Sequence, residues 1–93
     1  MRERDVERKL VRMVLDLDGF APKLSCPGMD GLPDRLILLP GGRVAFAELK
    51  APGKRPRPLQ LRRERQLEAL GFPVYVIDHP DQIGGVLDEI QAP

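Results

Sequence analysis

Residues 32–50 read LPDRLILLPGGRVAFAELK. Two apolar runs, Arg35 to Leu39 and Val44 to Leu49, meet at Pro40-Gly41-Gly42, the signature of two antiparallel strands joined by a tight turn. Charges stand where ordinary strand ends do not need them: Asp34 before the first run, Glu48 and Lys50 at the end of the second. Alternation puts Val44, Phe46, Glu48 and Lys50 on one face, with Ala45, Ala47 and Leu49 on the other. The turn decides which face Asp34 joins. A two-residue Gly41-Gly42 loop sets Asp34 opposite Leu49, whereas a three-residue Pro40-Gly41-Gly42 loop sets it opposite Glu48, because a one-residue slip flips every side chain. The longer loop suits the residues better: Pro fits the first position of a type I turn, and a glycine in third place supplies the left-handed residue of a bulged hairpin.

Asp34 and Glu48 then become cross-strand neighbours whose like charges repel unless something positive lies between them. Lys50 could serve in a buried ion pair. A divalent cation would serve better, since Mg²⁺ takes one or two carboxylates and keeps its other places for water and phosphate. The Leu49 backbone carbonyl, between the two acids, is a further candidate ligand. A lysine beside such an ion can orient or deprotonate the attacking water, or stabilise charge developing on phosphorus.

Working outward, Val6, Leu10, Met13, Val14 and Leu17 recur at helical spacing over Arg4 to Leu17, and Gly19 ends the helix. Glu7 shares a row with Leu10, Val11 and Val14, so it either leans toward the buried side or flanks the stripe and reaches water. Phe20 to Leu24 carries Pro22 and fits an edge strand at best. Ser25 to Leu32 reads as a loop, in which Met29 and Asp30 form a plain turn or touch a partner. Leu59 to Leu70 is a helix with Pro58 near its first turn and Gly71 as its stop. Val74 to Ile77 is a short, wholly apolar strand, expected to be central and parallel to its predecessor. Asp81 to Ile90 is a weak terminal helix, with His79 just ahead of it in a helix-start or surface role rather than as a proton carrier. The expected fold is α/β, of order αβββαβα, with a mixed four-stranded sheet flanked by helices and one βαβ crossover.

The 93 residues, 42% hydrophobic and 31% charged, suit one small domain spanning 1–93, with a thin stability margin that a second copy would help. No apolar run approaches the roughly 20 residues a membrane span needs, and MRERDVERKL holds no apolar signal segment, so a soluble, cytoplasmic protein is expected. Cys26, the only cysteine, excludes an internal disulfide and a Cys-rich zinc site and reads as a buried or half-buried thiol. The net charge of +1 hides an asymmetry: Gly53 to Arg65 carries +5 and the remainder −4. Such a patch suits a polyanion, although a solvated arginine-rich helix start would also produce it. Aromatics are Phe20, Phe46, Phe72 and Tyr75, three of them at core-type positions, which argues against base stacking.

Pro33-Asp34, followed fourteen positions on by Glu48-Leu49-Lys50, resembles the Pro-Asp … Glu-x-Lys pattern of restriction-endonuclease-like nucleases, PD-(D/E)XK. That pattern alone is weak. The wider text, GLPDRLILLPGGRVAFAELKAPGKRPRPLQ with a following helix, GFPVYVID and a terminal helix, is similar to the VRR-NUC (virus-type replication-repair nuclease) domain over essentially the whole chain. The resemblance implies a restriction-endonuclease-like core and a metal site of Glu7, Asp34 and Glu48 holding Mg²⁺ or Mn²⁺. It also implies that Lys50 is the catalytic lysine, that Gln60 supports the site from the crossover helix, and that no nucleotide cofactor takes part. Lys23 and Ser25 to Gly28 match a looser segment, where the family tends to carry Ser-Pro-Gly and this chain has Cys26-Pro27-Gly28. Free-standing members, by the same resemblance, are phage or bacterial homodimers that cut branched DNA, including Holliday (four-way) junctions. Lys23, Ser25, Lys54, Arg55, Arg57, Arg62 and Arg63 are the candidate DNA contacts, giving salt-sensitive affinity with little sequence preference. The alternatives are a flap or nicking nuclease of the same fold, and a non-catalytic DNA-binding module whose charged cluster is a structural ion pair.

Overall fold

The computed structural model describes residues 2–93. Its elements, in chain order, are helix α1 (Glu3–Asp16), strands β1 (Arg35–Leu39) and β2 (Arg43–Leu49), helix α2 (Pro58–Ala69), strand β3 (Val74–Ile77), a 3₁₀ turn (Pro80–Gln82) and helix α3 (Ile83–Gln91). The sheet is mixed, in the order β1-β2-β3, with β1 antiparallel and β3 parallel to β2. It has three strands where four are expected from the sequence. Phe20 to Leu24 does run along the outer edge of β1 and exchanges backbone hydrogen bonds with it: Phe20 N to Leu38 O, Leu38 N to Phe20 O, Leu36 N to Pro22 O and Leu24 N to Asp34 O. Yet it forms only isolated bridges, Phe20 with Leu38 and Lys23 with Arg35, because Pro22 sits mid-run with no N–H to donate.

The hairpin turn has the expected parity. Leu39 pairs with Arg43 and Arg35 with Ala47, leaving Pro40, Gly41 and Gly42 as a three-residue loop. Its geometry differs from a type I start, since both glycines are left-handed, Gly41 at φ +85° and Gly42 at +74°. A proline followed by a residue of positive φ is the type II arrangement, which glycine accepts without strain. Gly19 is required for a different reason. The left-handed residue that ends α1 is Asp18, at φ 66°, and a Cβ on Gly19 would lie 2.1 Å from the Leu38 carbonyl oxygen.

The core lies on one face of the sheet. Val6, Leu10 and Val14 of α1 and Ile83, Leu87 and Ile90 of α3 pack against Ile37, Leu39, Ala45, Ala47, Leu49 and Ile77, all of them buried. Arg43 ties the end of α3 to the sheet, donating through Nη1 to the carbonyls of Ile90 and Ala92 at 3.1 and 2.7 Å, where a cation complements the helix terminus. The opposite face carries α2 and is far more open. Gln60 is the one buried residue of that helix.

Three expectations fail for reasons of packing. Val74–Ile77 is an edge strand, not a central one, with only Ile77 buried. Phe20 and Phe72 are exposed, while Phe46 is half-buried and meets Phe72 edge-on at 6.0 Å between ring centres. Cys26 is exposed in its Pro-Gly loop rather than buried.

Candidate active site

The acidic end of the hairpin follows from the turn. Continuing the β1–β2 register one step past Arg35 and Ala47 sets Asp34 opposite Glu48. At that point the backbone ladder stops, and the Asp34 side chain takes over: Oδ2 accepts the Leu49 N–H at 2.8 Å. This bond anchors one carboxylate oxygen against the backbone that carries Glu48 and Lys50.

Glu48 is only 1% exposed, and neither of its carboxylate oxygens has a hydrogen-bond donor among the described residues. The neighbour it faces, Asp34, is also an acceptor when ionised. Burial first, and then the adjoining Asp34 carboxylate, push the Glu48 carboxyl from its ordinary 4.5 up to about 8, with Lys50 pulling weakly the other way. A buried carboxylate with no donor beside a second carboxylate costs free energy, and it is relieved by a shared proton or by a cation. The donor set, hard oxygens at a strand end, fits Mg²⁺ or Mn²⁺.

The other sequence candidates are placed as follows. Lys50 follows directly after β2, half-buried, with its N–H bonded to Ile77 O at 2.9 Å. Glu7 does not join the acid pair. It is half-buried on α1, and its Oε2 accepts Arg35 Nε at 3.1 Å. Among the described residues, accordingly, no three His, Cys, Asp or Glu side chains stand as a ready-made metal cage. Gln60 is 6% exposed and caps α2, its Oε1 accepting the Arg57 N–H at 2.7 Å.

Lys23, Ser25, Lys54, Arg55, Arg57 and Arg62 lie at the surface, Lys23 and Ser25 before Pro33, Lys54, Arg55 and Arg57 along the basic segment that leads into α2, and Arg62 within that helix. Arg63 is already engaged: its Nε donates to Asp30 O at 2.9 Å and its Nη1 to Gln66 Oε1 at 3.0 Å, which ties the loop before Pro33 to α2. His79 acts as a helix-start cap, its Nδ1 accepting the Asp81 N–H at 3.1 Å.

Two residues escape the sequence reading. Arg35 shares the α1-facing side of β1 with Ile37 and Leu39, and strand alternation was the signal that would have aimed it at Glu7. Glu64 stands one helical turn beyond Gln60. Its Oε2 is buried without a partner among the described residues, and burial, followed by Glu68, raises its pKa. A lone acid in an arginine run, four residues from the capping glutamine, was its signal.

The acid pair closes β2, and the basic Gly53–Arg65 segment follows it within a few residues. No family model matches the sequence. A curated relative, "Putative nuclease p44" of Acyrthosiphon pisum secondary endosymbiont phage 1, is 47% identical over 81 residues, 87% of this chain and 87% of that protein. A solved structure described as a VRR_NUC domain superposes with a TM-score of 0.86 at 31% identity, covering 92% of this chain and 94% of that one. With 47% identity to a nuclease over most of both chains and a shared fold with a VRR_NUC domain at 31% identity, the chain belongs to the VRR-NUC family of nucleases.

Proposed function

We propose that the protein is a Mg²⁺- or Mn²⁺-dependent DNA endonuclease that hydrolyses phosphodiester bonds in branched DNA, four-way junctions above all, as a homodimer in the cytoplasm of a bacterial host. The observation that carries this reading is Glu48, buried to 1% exposure with both oxygens lacking donors beside Asp34. Asp34, Glu48 and the Leu49 carbonyl would hold the ion, with Glu7 reaching it from α1. When bound, the ion supplies charge neutralisation at the scissile phosphate and a more acidic water.

The chain's own residues do the rest. The Lys50 ammonium, on the Glu48 face, orients the water and offsets charge growing on the phosphate oxygens as water adds to phosphorus, one P–O ester bond breaks and a proton reaches the departing oxygen. Gln60 fixes the first turn of α2, whose amino end favours phosphate. Lys54, Arg55, Arg57 and Arg62, at the surface of the same segment, would follow the DNA backbone. Pairing is supported by the open apolar face of the sheet, where Val44, Phe72 and Val76 are exposed. Symmetric cuts across a junction also require two sites related by a two-fold axis.

The test is cleavage of matched four-way, flap and linear duplexes with Mg²⁺, Mn²⁺ or chelator, alongside the solution mass. Junction cutting that needs the metal and disappears in Asp34→Asn is expected. Preferential flap cutting or nicking would replace the junction reading, and DNA binding without metal-stimulated cleavage would replace the nuclease reading with a binding module. A monomer at micromolar concentration with intact junction cutting would overturn the dimer.

A further inference from the structure

The loop that leads to Asp34 is pinned on both sides of Met29. The Met29 N–H donates to the Cys26 carbonyl at 3.1 Å across Pro27 and Gly28, and Gly28 stands at φ +84°, which makes a type II turn just ahead of Met29. On the other side the loop is fastened to α2, where Arg63 Nε donates to the Asp30 carbonyl at 2.9 Å. Gly31 lies directly against the same helix, since a Cβ there would stand 2.7 Å from Leu59 Cγ and 3.2 Å from Arg63 Cγ. Between these anchors Met29 is 45% exposed, and Leu59, the side chain that Gly31 rests on, is 37% exposed. Buried Pro33 then carries the chain into Asp34.

Two large apolar side chains are thus held out to water where loop and helix meet, on backbone that is already ordered, so that less freedom is lost when they enter a partner. The surface around them is cationic. Arg57, two residues before Leu59, and Arg62, three residues after it, are exposed, as are Lys54 and Arg55 ahead of the helix. Asp30 is the loop's one acid. An apolar point framed by cations suits DNA, whose phosphates take the cations and whose bases present apolar faces. We propose that Met29, backed by Leu59, is a wedge that enters the base stack at a branch point and so sets which phosphate lies at Asp34 and Glu48. The inference rests on the reading above that the substrate is branched DNA. Apolar wedges part base steps at a cost in stacking, and that cost is least where a base is already without a stacking or pairing neighbour, as at a branch point. Methionine suits the task, being unbranched, polarizable and favourable against aromatic rings. Asp34 follows Met29 by five residues on a chain fastened to α2, so the wedge and the acid pair keep a fixed separation.

The test measures binding in chelator, so that no strand is cut, to a four-way junction and to a linear duplex built from the same arms. A fluorescent adenine analogue that brightens on unstacking is placed at the branch point. The proteins are the wild type, Met29→Ala, Met29→Leu, the double variant Met29→Ala with Leu59→Ala, and Arg62→Ala. The wild type should prefer the junction and brighten the analogue. Met29→Ala should weaken junction binding about 10-fold and duplex binding by less than about 2-fold, as expected when a side chain lying against a base is truncated. The double variant should weaken junction binding further and lose the brightening. Met29→Leu, which keeps an apolar point, should retain both. Arg62→Ala, which removes only a phosphate contact, should weaken both DNAs alike. Thermal melts by circular dichroism identify any variant that fails to fold; if Met29→Ala does, Met29→Gln takes its place, and if the double variant does, the single one decides. Wild-type junction binding in Met29→Ala, equal losses on both DNAs, or an analogue that stays dark with the wild type would overturn the wedge and leave branched DNA as the substrate. If the wild type binds junction and duplex equally, or binds neither, the branched-DNA reading itself fails and the wedge with it.

Discussion

Replacing Glu48 with glutamine should stabilise the metal-free protein while removing its affinity for metal. Burial raises the folded-state pKa of Glu48 from an ordinary 4.5 to about 8, so between those values the folded chain keeps a proton that the unfolded chain releases. The stabilisation is complete below the unfolded value and is lost as pH rises toward the folded one. At about 1.36 kcal/mol for each pH unit over which the two states differ by one proton, the wild type should lose roughly 3 kcal/mol relative to Glu48→Gln between about pH 5 and about pH 8. Against a total of roughly 5–15 kcal/mol for a small domain, that loss is large. The glutamine cannot ionise, and its amide can donate to Asp34, so its own curve lacks this component.

The assay is urea unfolding in chelator, followed by far-ultraviolet circular dichroism because the chain has no tryptophan and a single tyrosine. The quantity to plot is the stability difference between the two proteins against pH, which cancels the other titrating groups. Adding Mg²⁺ or Mn²⁺ at pH 8 should restore the wild type and leave Glu48→Gln unmoved. A difference that stays flat from pH 5 to pH 8, or a variant less stable than the wild type at pH 8 without metal, would refute the claim that Glu48 is a buried, donorless carboxylate awaiting a cation.

Deleting Gly42 leaves Pro40-Gly41, an L-Pro-Gly pair ill-suited to a two-residue hairpin turn, so the three-residue loop re-forms as Pro40-Gly41-Arg43, Leu39 pairs with Val44 and Asp34 moves opposite Leu49; Mn²⁺ binding by calorimetry should vanish even where the strand signal persists. Gly19→Ala drives a methyl group to within 2.1 Å of the Leu38 carbonyl, and thermal melting should register a loss of roughly 1–3 kcal/mol. Neutralising exposed Lys54, Arg55 and Arg57 together should lower the slope of log affinity for DNA against log salt by about one for each phosphate that these side chains neutralise in the wild type, leaving metal binding unchanged.

Much of the site was legible because strand alternation and turn length are local properties. The period of two put Glu48 and Lys50 on one face, and the Pro-Gly-Gly loop brought Asp34 to them, as the register shows. The stripe of Val6, Leu10 and Val14 likewise predicted the inner face of α1, and each of the three is buried. Gly71 reads as a helix stop, and the Phe72 N–H bonds back to Leu67 O at 3.0 Å. Failures came where an answer depends on what lies across a gap in the chain. Phe72 and Val76 are apolar by sequence, but whether they are covered depends on how closely α2 packs on that face, and it leaves them open. An apolar run such as Val74–Ile77 marks a strand without saying whether a fourth strand lies beyond it.

The sequence by itself determined the parity of the hairpin, the identity of the acid pair with its lysine, and the stripe that seats α1, because each is set by residues within one or two turns or one loop of each other. Only the tertiary structure decided that Glu7 rests on Arg35, twenty-eight positions away, that Glu48 is shut away from every donor among the described residues, and that one face of the sheet holds the core while the other stays half open. Those outcomes arise from the free energy of packing separate segments together. Local periodicity carries no information about which segment will arrive on the far side.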